Sequence, residues 1–302
     1  MLPRLATVDA EETRAMQVER VAEQPVQFQR RPTVTRIEPP RRWVELDLRE
    51  VWRFRQIAYF LAWRDVKVRY KQTALGVSWA ILQPILTTIV FTVFFGHVAK
   101  VSSGDVPYPL FVFSALLPWT LFASGVTQAS NSLVGNPNLI TKVYVPRLAL
   151  PVAAIAGTAL DFLLSAVVLV GMLAYYGVDL APRMLLAPAF VALALIAATA
   201  VGTLLAAANV RYRDIRFVVP FLVQIWLFAS PVAYASDAIH GTLRTLYGIN
   251  PMAGAISGFR WSLFGGSPPG AMSAISLTVS LVLLGLALVY FRRLEISFAD
   301  VI

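Results

Sequence analysis

Six apolar runs, separated by short polar segments, divide most of this 302-residue chain into pieces of membrane-spanning length. The first run, 77–95, has nineteen residues without a formal charge, which is enough for a helix to cross about 30 Å of hydrocarbon. Five further runs follow it at about 110–134, 152–176, 185–208, 217–234 and 273–291. The pattern predicts an all-α integral membrane protein with six transmembrane helices.

A basic and aromatic segment, 47–73, directly precedes the first run. At helical spacing it has two stripes, an aromatic one of Tyr59, Trp63, Val66 and Tyr70 and a basic one of Arg64, Lys67 and Lys71. Asp65 and Arg69, four residues apart with the acid first, also favour a helix. The alternative, a short strand over 66–70, has no partner nearby. We therefore expect an N-terminal amphipathic helix in the plane where headgroups meet acyl chains.

The composition agrees with a membrane protein, because 57% of the residues are hydrophobic and only 14% are charged, against about a quarter in soluble domains. The net charge of +9 would suit nucleic acid if it were spread over a soluble surface. Instead, the basic surplus lies in 47–73, with seven basic and three acidic residues. Anionic lipid, and not nucleic acid, is therefore the expected partner. The proline-containing tail, 1–46, has mixed charges and no apolar run, so we expect it to be mostly disordered in the cytoplasm.

The distribution of Lys and Arg predicts the orientation in the membrane. With a cytoplasmic N-terminus, all but four of the 26 basic residues lie on the cytoplasmic side, the four exceptions being Lys100, Arg183, Arg244 and Arg260. Cytoplasmic loops normally carry the excess of basic residues. Six spans with this bias place both termini in the cytoplasm.

The external segment 235–272 contains a half-apolar part, 250–266, that is too short to span a membrane. Asn250-Pro251 begins this part and a pair of glycines ends it. One interpretation is one or two short re-entrant helices, which exist only where the backbone packs on protein or lines a wet cavity. The other is an amphipathic helix lying on the membrane surface.

Asp161 is the one acidic residue well inside a predicted span, on the order of 14 Å from the cytoplasmic start of 152–176. An intramembrane carboxylate is a candidate proton relay or ion site. A relay needs ionisable partners at the same depth, and the sequence offers none. We therefore expect a structural carboxylate that is hydrogen-bonded to a neighbouring helix through Gln83, Gln224 or a Ser or Thr hydroxyl.

Other chemistries have little support in the sequence. His97 and His240 are far apart and lack metal-ligand spacing, and the chain has no cysteine. It also lacks the G-x-x-x-x-G-K-[ST] loop that holds nucleotide phosphates. No paired carboxylates or Ser/His/Asp set share a face. We therefore expect no metal, no cofactor in this chain and no enzymatic activity.

The cytoplasmic loop 135–151 joins the second and third runs. An Asn-Pro pair opens it and prolines close it, with Leu139, Ile140 and Val143 forming an apolar edge beside Lys142. A short, capped helix of this kind favours docking to a soluble partner. A plain tight connection is the alternative.

Four stretches resemble permease subunits of type 2 ABC exporters, in the branch that exports O-antigen, capsule and teichoic acid polysaccharides. The 63–84 stretch WRDVKVRYKQTALGVSWAILQP is similar to the entrance to the first span of that branch. The 139–151 stretch LITKVYVPRLALP is similar to its coupling loop. The 209–215 stretch NVRYRDI resembles the loop after its fourth span, and Asn250-Pro251-Met252 resembles its external segment. The likeness covers about 47–302.

This resemblance implies a homodimer of six-span subunits with two separate nucleotide-binding ATPase subunits, which hold ATP and Mg. The paired membrane subunits would enclose a channel for a lipid-linked polysaccharide in the bacterial inner membrane.

The resemblance also implies roles for particular residues. Coupling to the ATPase is expected from Asn136, Leu139, Ile140, Lys142 and Arg147. Contact with lipid headgroups or a substrate pyrophosphate is expected from Arg64, Lys67, Arg69 and Lys71. An external gate is expected at Asn250, Pro251, Phe259, Arg260 and Trp261. Flat aromatic faces stack on sugar rings without a fixed register, so the expected translocation pathway consists of Phe91, Phe94, Trp119, Phe122 and Trp226.

Two rival functions stay open. A type 2 ABC exporter of drugs or other lipids would share the architecture. A membrane enzyme or scaffold of glycan assembly would need acidic residues facing one aqueous side, and a proton-coupled carrier would need more than Asp161.

Overall fold

The computed structural model describes residues 54–71, 76–142, 145–236, 242–295 and 298. The predicted disordered tail and the first residues of the 47–73 segment lie outside the described residues, as do Val143 and His240. Throughout the described ranges the regular secondary structure is helical, without a strand. The all-α class is confirmed.

Ten α-helices occur in the described part of the chain. They are α1 (Arg55–Lys71), α2 (Ser78–Phe91), which continues as a π-helix (Thr92–Val98), α3 (Tyr108–Asn131), α4 (Pro137–Lys142), α5 (Ala149–Tyr175), α6 (Ala187–Arg211), which follows a 3-10 turn (Pro182–Leu186), α7 (Ile215–Phe228), α8 (Thr242–Tyr247), α9 (Pro251–Phe264) and α10 (Gly270–Glu295).

Within the described residues, five helical stretches are long and apolar enough to cross a membrane. They are Ser78–Val98, Tyr108–Asn131, Ala149–Tyr175, Pro182–Arg211 and Gly270–Glu295. The predicted run 217–234 instead forms the 14-residue helix α7, about 21 Å long, followed by turns. Pro231 disfavours helical geometry at the residue before it, which helps to end the helix early. The count of six spans therefore stays a prediction.

The central helix of the fold is α3, which packs against α5, α6, α9 and α2 and is buried along most of its length. Small residues allow α6 to approach it closely. A Cβ added to Gly202 would lie 2.8 Å from the Cβ of Ala129, a separation that real side chains do not adopt. This close packing of small residues is typical of helix pairs in membranes, where backbones approach without intervening side chains.

Helix α9, which lies in the segment predicted to be external, is almost entirely buried against α3, α6 and α10. Gly254 and Gly258 lie one turn apart on it, and a Cβ on Gly258 would lie 2.0 Å from the ring of Phe190. A Cβ on Gly254 would be 2.6 Å from Ser276. Of the two interpretations of 250–266, the structure supports a helix packed on protein. A surface-lying amphipathic helix would expose a polar face, and α9 has none.

Candidate functional site

Helix α1 lies against the N-terminal half of α5, with Leu61 and Val66 buried in the contact. The two helices approach closely, since a Cβ on Gly157 would lie in ordinary van der Waals contact, 3.6 Å from the carbonyl oxygen of Ala62. The predicted aromatic stripe is divided. Val66 faces protein, whereas Trp63 is exposed and Lys67 Nζ lies 5.5 Å from the centre of its ring.

The carboxylate of Asp161 is bound from α1. Arg69 Nη1 donates to Asp161 Oδ2 in an ion pair, and the Tyr70 hydroxyl donates to Oδ1. Burial, followed by the hydrogen bond to Asp161, raises the pKa of Tyr70 to about 12, so its hydroxyl stays a donor at physiological pH. The expectation of a neutral partner such as Gln83 or Gln224 was wrong. A long arginine side chain reaches into the protein while its helix remains outside the spans.

Arg64 connects α1 to the start of α4. Its Nη2 donates to Asn136 Oδ1 at 2.9 Å and to Asp65 Oδ1 at 2.8 Å. Arg64 and Arg69 also border a cavity of about 470 Å³, whose wall includes the amides of Asn131 and Asn136. The four basic residues assigned to headgroups therefore fall into two groups by their contacts. Arg64 and Arg69 have partners inside the chain, whereas Lys67 and Lys71 are exposed.

The predicted docking helix is present as α4, but its apolar residues face the chain's own core. Ile140 is buried and Leu139 is half-buried against the cluster formed by Leu61 and Leu148. The exposed residues of α4 are Pro137, Asn138, Thr141 and Lys142. The interpretation of Leu139 and Ile140 as a free apolar edge is corrected accordingly. Helical periodicity places them on one face, but it does not tell which face is covered.

Arg147 is also engaged within the chain. It donates through Nη1 to the main-chain carbonyl of Glu295, at the end of α10. Its guanidinium lies 6.0 Å from the centre of the Phe298 ring. Of the residues assigned to ATPase coupling, only Lys142 is exposed, and Asn136 is held by Arg64. Arg147 therefore fixes the loop to the C-terminal helix.

Arg260 on α9 is buried and holds its surroundings together through main-chain oxygens. Its five N–H groups donate to four carbonyls, those of Phe111, Pro231, Val232 and Tyr234, over 2.6 to 3.1 Å. The guanidinium carbon also lies 3.5 Å from the centre of the Phe111 ring. Arg260 therefore does not offer a free charge to a passing substrate, and instead links α9 to α3 and to the turn after α7.

Asn250 caps α9 and joins it to α7. Its Oδ1 accepts from Met252 N–H at 3.0 Å, and Pro251 occupies the first turn, where a missing N–H costs nothing. The same oxygen accepts from the indole N–H of Trp226 at 2.9 Å. Its Nδ2 donates to the carbonyl of Ala229 at 2.9 Å. The other two predicted gate residues line the packed side of α9, with Phe259 buried and Trp261 half-buried.

The structure separates the five aromatic residues assigned to the pathway. Phe91, Trp119 and Phe122 are buried in the subunit's own core, where Phe122 meets the ring of Trp226 edge-on at 5.1 Å. Only Phe94 has most of its surface exposed, at 61%. In this conformation the three buried residues line no open surface, because they fill the contact between α3 and its neighbours. Aromatic residue type alone could not distinguish core packing from a channel wall.

The family model of the ABC-2 type transporter matches residues 57–264, which is more than half of the chain. The chain belongs to the ABC-2 type transporter family. It is therefore a multi-pass membrane subunit of a transporter, as the resemblance of its motifs implied, and the matched range includes the helices α2 to α9 with their contacts to α1.

Among individual proteins, this ABC-2 type chain is similar to permeases of polysaccharide export. It is 30% identical over 256 residues to the O-antigen export system permease protein RfbA of Myxococcus xanthus, covering 84% of this chain and 98% of that protein. It is 27% identical over 240 residues to RfbA of Klebsiella pneumoniae, covering 79% and 92%. A shorter match, 26% over 76 residues, covers 25% of this chain and 30% of the polysialic acid transport protein KpsM of Escherichia coli.

Among the contacts missed in the sequence, two hold α1, Arg69 with Asp161 and Arg64 with Asn136. A signal for the first was present. A lone acid in a span needs a partner, and a basic helix adjoins the membrane. The 92 residues that separate Arg69 from Asp161 hid the pairing. Asn136 gave no signal beyond its place before Pro137.

Proposed function

We propose that this chain is the transmembrane subunit of an ATP-driven exporter that moves a lipid-linked polysaccharide from the cytoplasm across the bacterial inner membrane. The observation that carries the proposal is similarity to O-antigen export permeases over nearly their whole length, 98% for the protein of Myxococcus xanthus. A relationship confined to one helix or loop would support only a shared fold. Here the similarity extends over nearly the whole relative, and it therefore includes α1 and α4 as well as helix α9.

ATP hydrolysis belongs to separate subunits in this proposal, since the sequence lacks a phosphate-binding loop of the Walker type. Two ATPase subunits, which bind ATP and Mg, dock on a homodimer of this chain. The exposed face of α4, formed by Pro137, Asn138, Thr141 and Lys142, is the surface we assign to that contact. Both termini lie in the cytoplasm, in accord with the distribution of Lys and Arg.

The basic residues of α1 have two roles in this proposal. Lys67 and Lys71 are exposed and meet anionic headgroups, each contributing about 1 kcal/mol at a charged surface. Arg64 and Arg69 border the cavity of about 470 Å³, which Asp65 also lines, and we assign them to the pyrophosphate of a lipid-linked substrate. That pyrophosphate must compete with Asp65 and Asp161 for the two guanidinium groups. Lipid and substrate therefore share one chemistry, phosphate, but meet different residues.

The external helix α9 closes the outer end of the pathway in this proposal. It is joined to α7 through Asn250 and Trp226, so a shift of α7 moves it directly. Of the five aromatic residues assigned to the pathway, Phe94, at the outer end of the first span, is the one whose exposed ring is available to a sugar. Trp119 and Phe122 would reach the glycan only after α3 and α7 separate.

A cellular experiment tests this proposal against the rival exporters. The gene is deleted from its host, and the strain is complemented with the native chain or with an empty vector. Loss of surface polysaccharide, with lipid-linked polymer accumulating inside the cell, supports glycan export. Normal surface polysaccharide with a changed efflux of drugs or lipids contradicts it and favours the other type 2 exporters. Polymer that is never synthesised contradicts it in favour of an assembly enzyme or scaffold.

A further inference from the structure

Helix α1 packs on α5 through Leu61 and Val66, and two polar contacts also connect it to different parts of the molecule. Arg64 donates to Asn136, the residue before α4. Arg69 and Tyr70 donate to Asp161 on α5. Five residues separate Arg64 from Arg69, a distance of about 7.5 Å along the helix axis. Helix α1 therefore spans the gap between the ATPase-facing helix and a membrane helix.

The two contacts differ in strength. At Asp161, both carboxylate oxygens are occupied, one by a charged donor and one by a hydroxyl, and the Asp161 and Arg69 side chains are each only 25% exposed. Charge-assisted hydrogen bonds away from water are roughly twice as strong as neutral ones. At Asn136, the acceptor is a neutral amide, and the Arg64 side chain is 42% exposed and also binds Asp65. The Asp161 contact is therefore the firmer of the two.

The surroundings of Asp161 on the side away from α1 also indicate that its carboxylate has a structural role. A polar cavity of about 70 Å³ adjoins it, lined by Gln83 of α2, Thr120 and Ser124 of α3, and Thr158 and Ser165 of α5. This volume suits one or two water molecules, which stabilise a carboxylate that is already paired. Among the described residues, no second acidic or histidine side chain lines this cavity, so its described wall offers no second site for a proton. Asp161 thus lies where α1, α2, α3 and α5 meet.

We propose that Asp161 is a positioning residue, a pivot that fixes the C-terminal end of α1 while α1 and α4 shift together when the ATPase moves α4. This inference rests on the proposed function for the source of the motion. To the proposed function it adds the residues that carry this motion, namely Arg64, Arg69 and Tyr70 of α1 together with Asp161. It also replaces the sequence-based expectation of a neutral hydrogen-bond partner for Asp161, because the partner found is the charged Arg69.

The first experiment separates positioning from bulk structure. In the complex with its ATPase, Asp161→Asn leaves the Arg69 charge unpaired. We expect ATP hydrolysis to persist while export per ATP falls about tenfold. The charge swap Asp161→Arg with Arg69→Asp should recover part of that loss. Gln224→Leu is the matched control, since it removes a polar side chain from α7, outside this contact. Normal export by a folded Asp161→Asn transporter overturns the proposal, and so does a swap that recovers nothing.

A second experiment keeps Asp161 native and therefore does not depend on how the variants fold. The cysteine-free chain permits spin-label pairs, with labelled subunits diluted among unlabelled ones. The Lys67–Lys142 distance, from α1 to α4, should stay constant between the nucleotide-free and ATP-trapped states. The Lys71–Leu163 distance, at the pivot, should also stay constant. The Phe60–Ala156 distance, at the other end of α1, should change.

The outcomes of the label experiment are distinct. A change at Lys67–Lys142 as large as that at Phe60–Ala156 means that α1 and α4 do not move together, and it overturns the proposal. No change at any pair overturns the pivot as well. Because these distances need only ATP and the ATPase, they report on the pivot whether or not the cargo is a glycan. Failure of the proposed function appears instead in the deletion strain.

Discussion

The indole N–H of Trp226 donates to Asn250 Oδ1 at 2.9 Å, joining helix α7 to the cap of helix α9. Asn250 completes this connection by donating to the carbonyl of Ala229 and to Ser230 Oγ at 2.9 and 3.0 Å. The Asn250 side chain therefore forms hydrogen bonds with the start of α9, with Trp226 near the end of α7 and with the turn that follows α7. The position of the external helix depends on the position of α7.

Replacing Asn250 should loosen both helices. Asn250→Ala removes the cap and three further hydrogen bonds, and we expect the free energy of unfolding to fall by about 2 kcal/mol. Trp226→Phe removes one of these hydrogen bonds and keeps an aromatic ring, although a smaller one than the indole, so the lost bond should cost about 1 kcal/mol. Thermal unfolding of the purified variants measures both effects. Equal effects of the two changes would mean that the cap and the two hydrogen bonds from Asn250 Nδ2 contribute nothing to the free energy of unfolding.

Arg260 should not tolerate replacement by lysine. An ammonium group has three donors in a different geometry and cannot serve the four carbonyls that the guanidinium reaches. Arg260→Lys should therefore lower the free energy of unfolding by about 3 kcal/mol, since buried carbonyls lose their donors. The exposed Arg216→Lys is the matched control and should change stability little. Native stability of Arg260→Lys would contradict the linking role.

The two faces of α4 should respond differently to substitution. Thr141→Asp with Lys142→Glu changes exposed side chains, so the protein should fold normally but lose ATPase binding by about tenfold or more. Ile140→Asp buries a charge in the core and should lower the unfolding temperature instead. Co-purification of the ATPase, together with thermal unfolding, separates the two results. Native ATPase binding by the Thr141/Lys142 variant would remove this face from the interface.

Aromatic positions should differ in their access to water. In the nucleotide-free state, Phe94→Cys should react with a membrane-impermeant thiol reagent, whereas Trp119→Cys and Phe122→Cys should not, because both positions are buried in the subunit core. Labelling of the buried positions only after ATP trapping would add them to the pathway. Rapid labelling at Trp119→Cys without nucleotide would contradict the packing of α3 described above.

The helices were largely predictable from the sequence, because runs of apolar residues in a membrane chain have few alternatives to a helix. The fifth run is the exception. Its fourteen-residue helix stops before the turn at Pro231, although the apolar pattern continues to 234. Hydropathy detects solvent preference, but it does not detect a turn whose carbonyls are satisfied by a distant side chain, and here Arg260 supplies that side chain.

The candidate sites were predicted by location better than by contact. The segments around α1, α4 and α9 were correctly placed as helices. The direction of their side chains was not, since Ile140 faces the core and Arg69 faces Asp161. Periodicity assigns residues to a common face, but the partner of that face comes from elements far away in the chain. Asp161 and Arg69 illustrate this, because a lone acid beside a basic helix suggests a pair but does not tell which basic residue forms it.

The central claim, export of a lipid-linked polysaccharide, is tested most directly by reconstitution. The chain and its partner ATPase are incorporated into liposomes, with the host's lipid-linked polysaccharide in the outer leaflet and the ATPase facing outward. The account predicts that ATP and Mg move the glycan to the lumen, where an added glycosidase no longer degrades it. It also predicts that a transporter with an inactive ATPase leaves the glycan accessible. A glycan that stays fully degradable while ATP is hydrolysed and another lipid or drug is moved would contradict it.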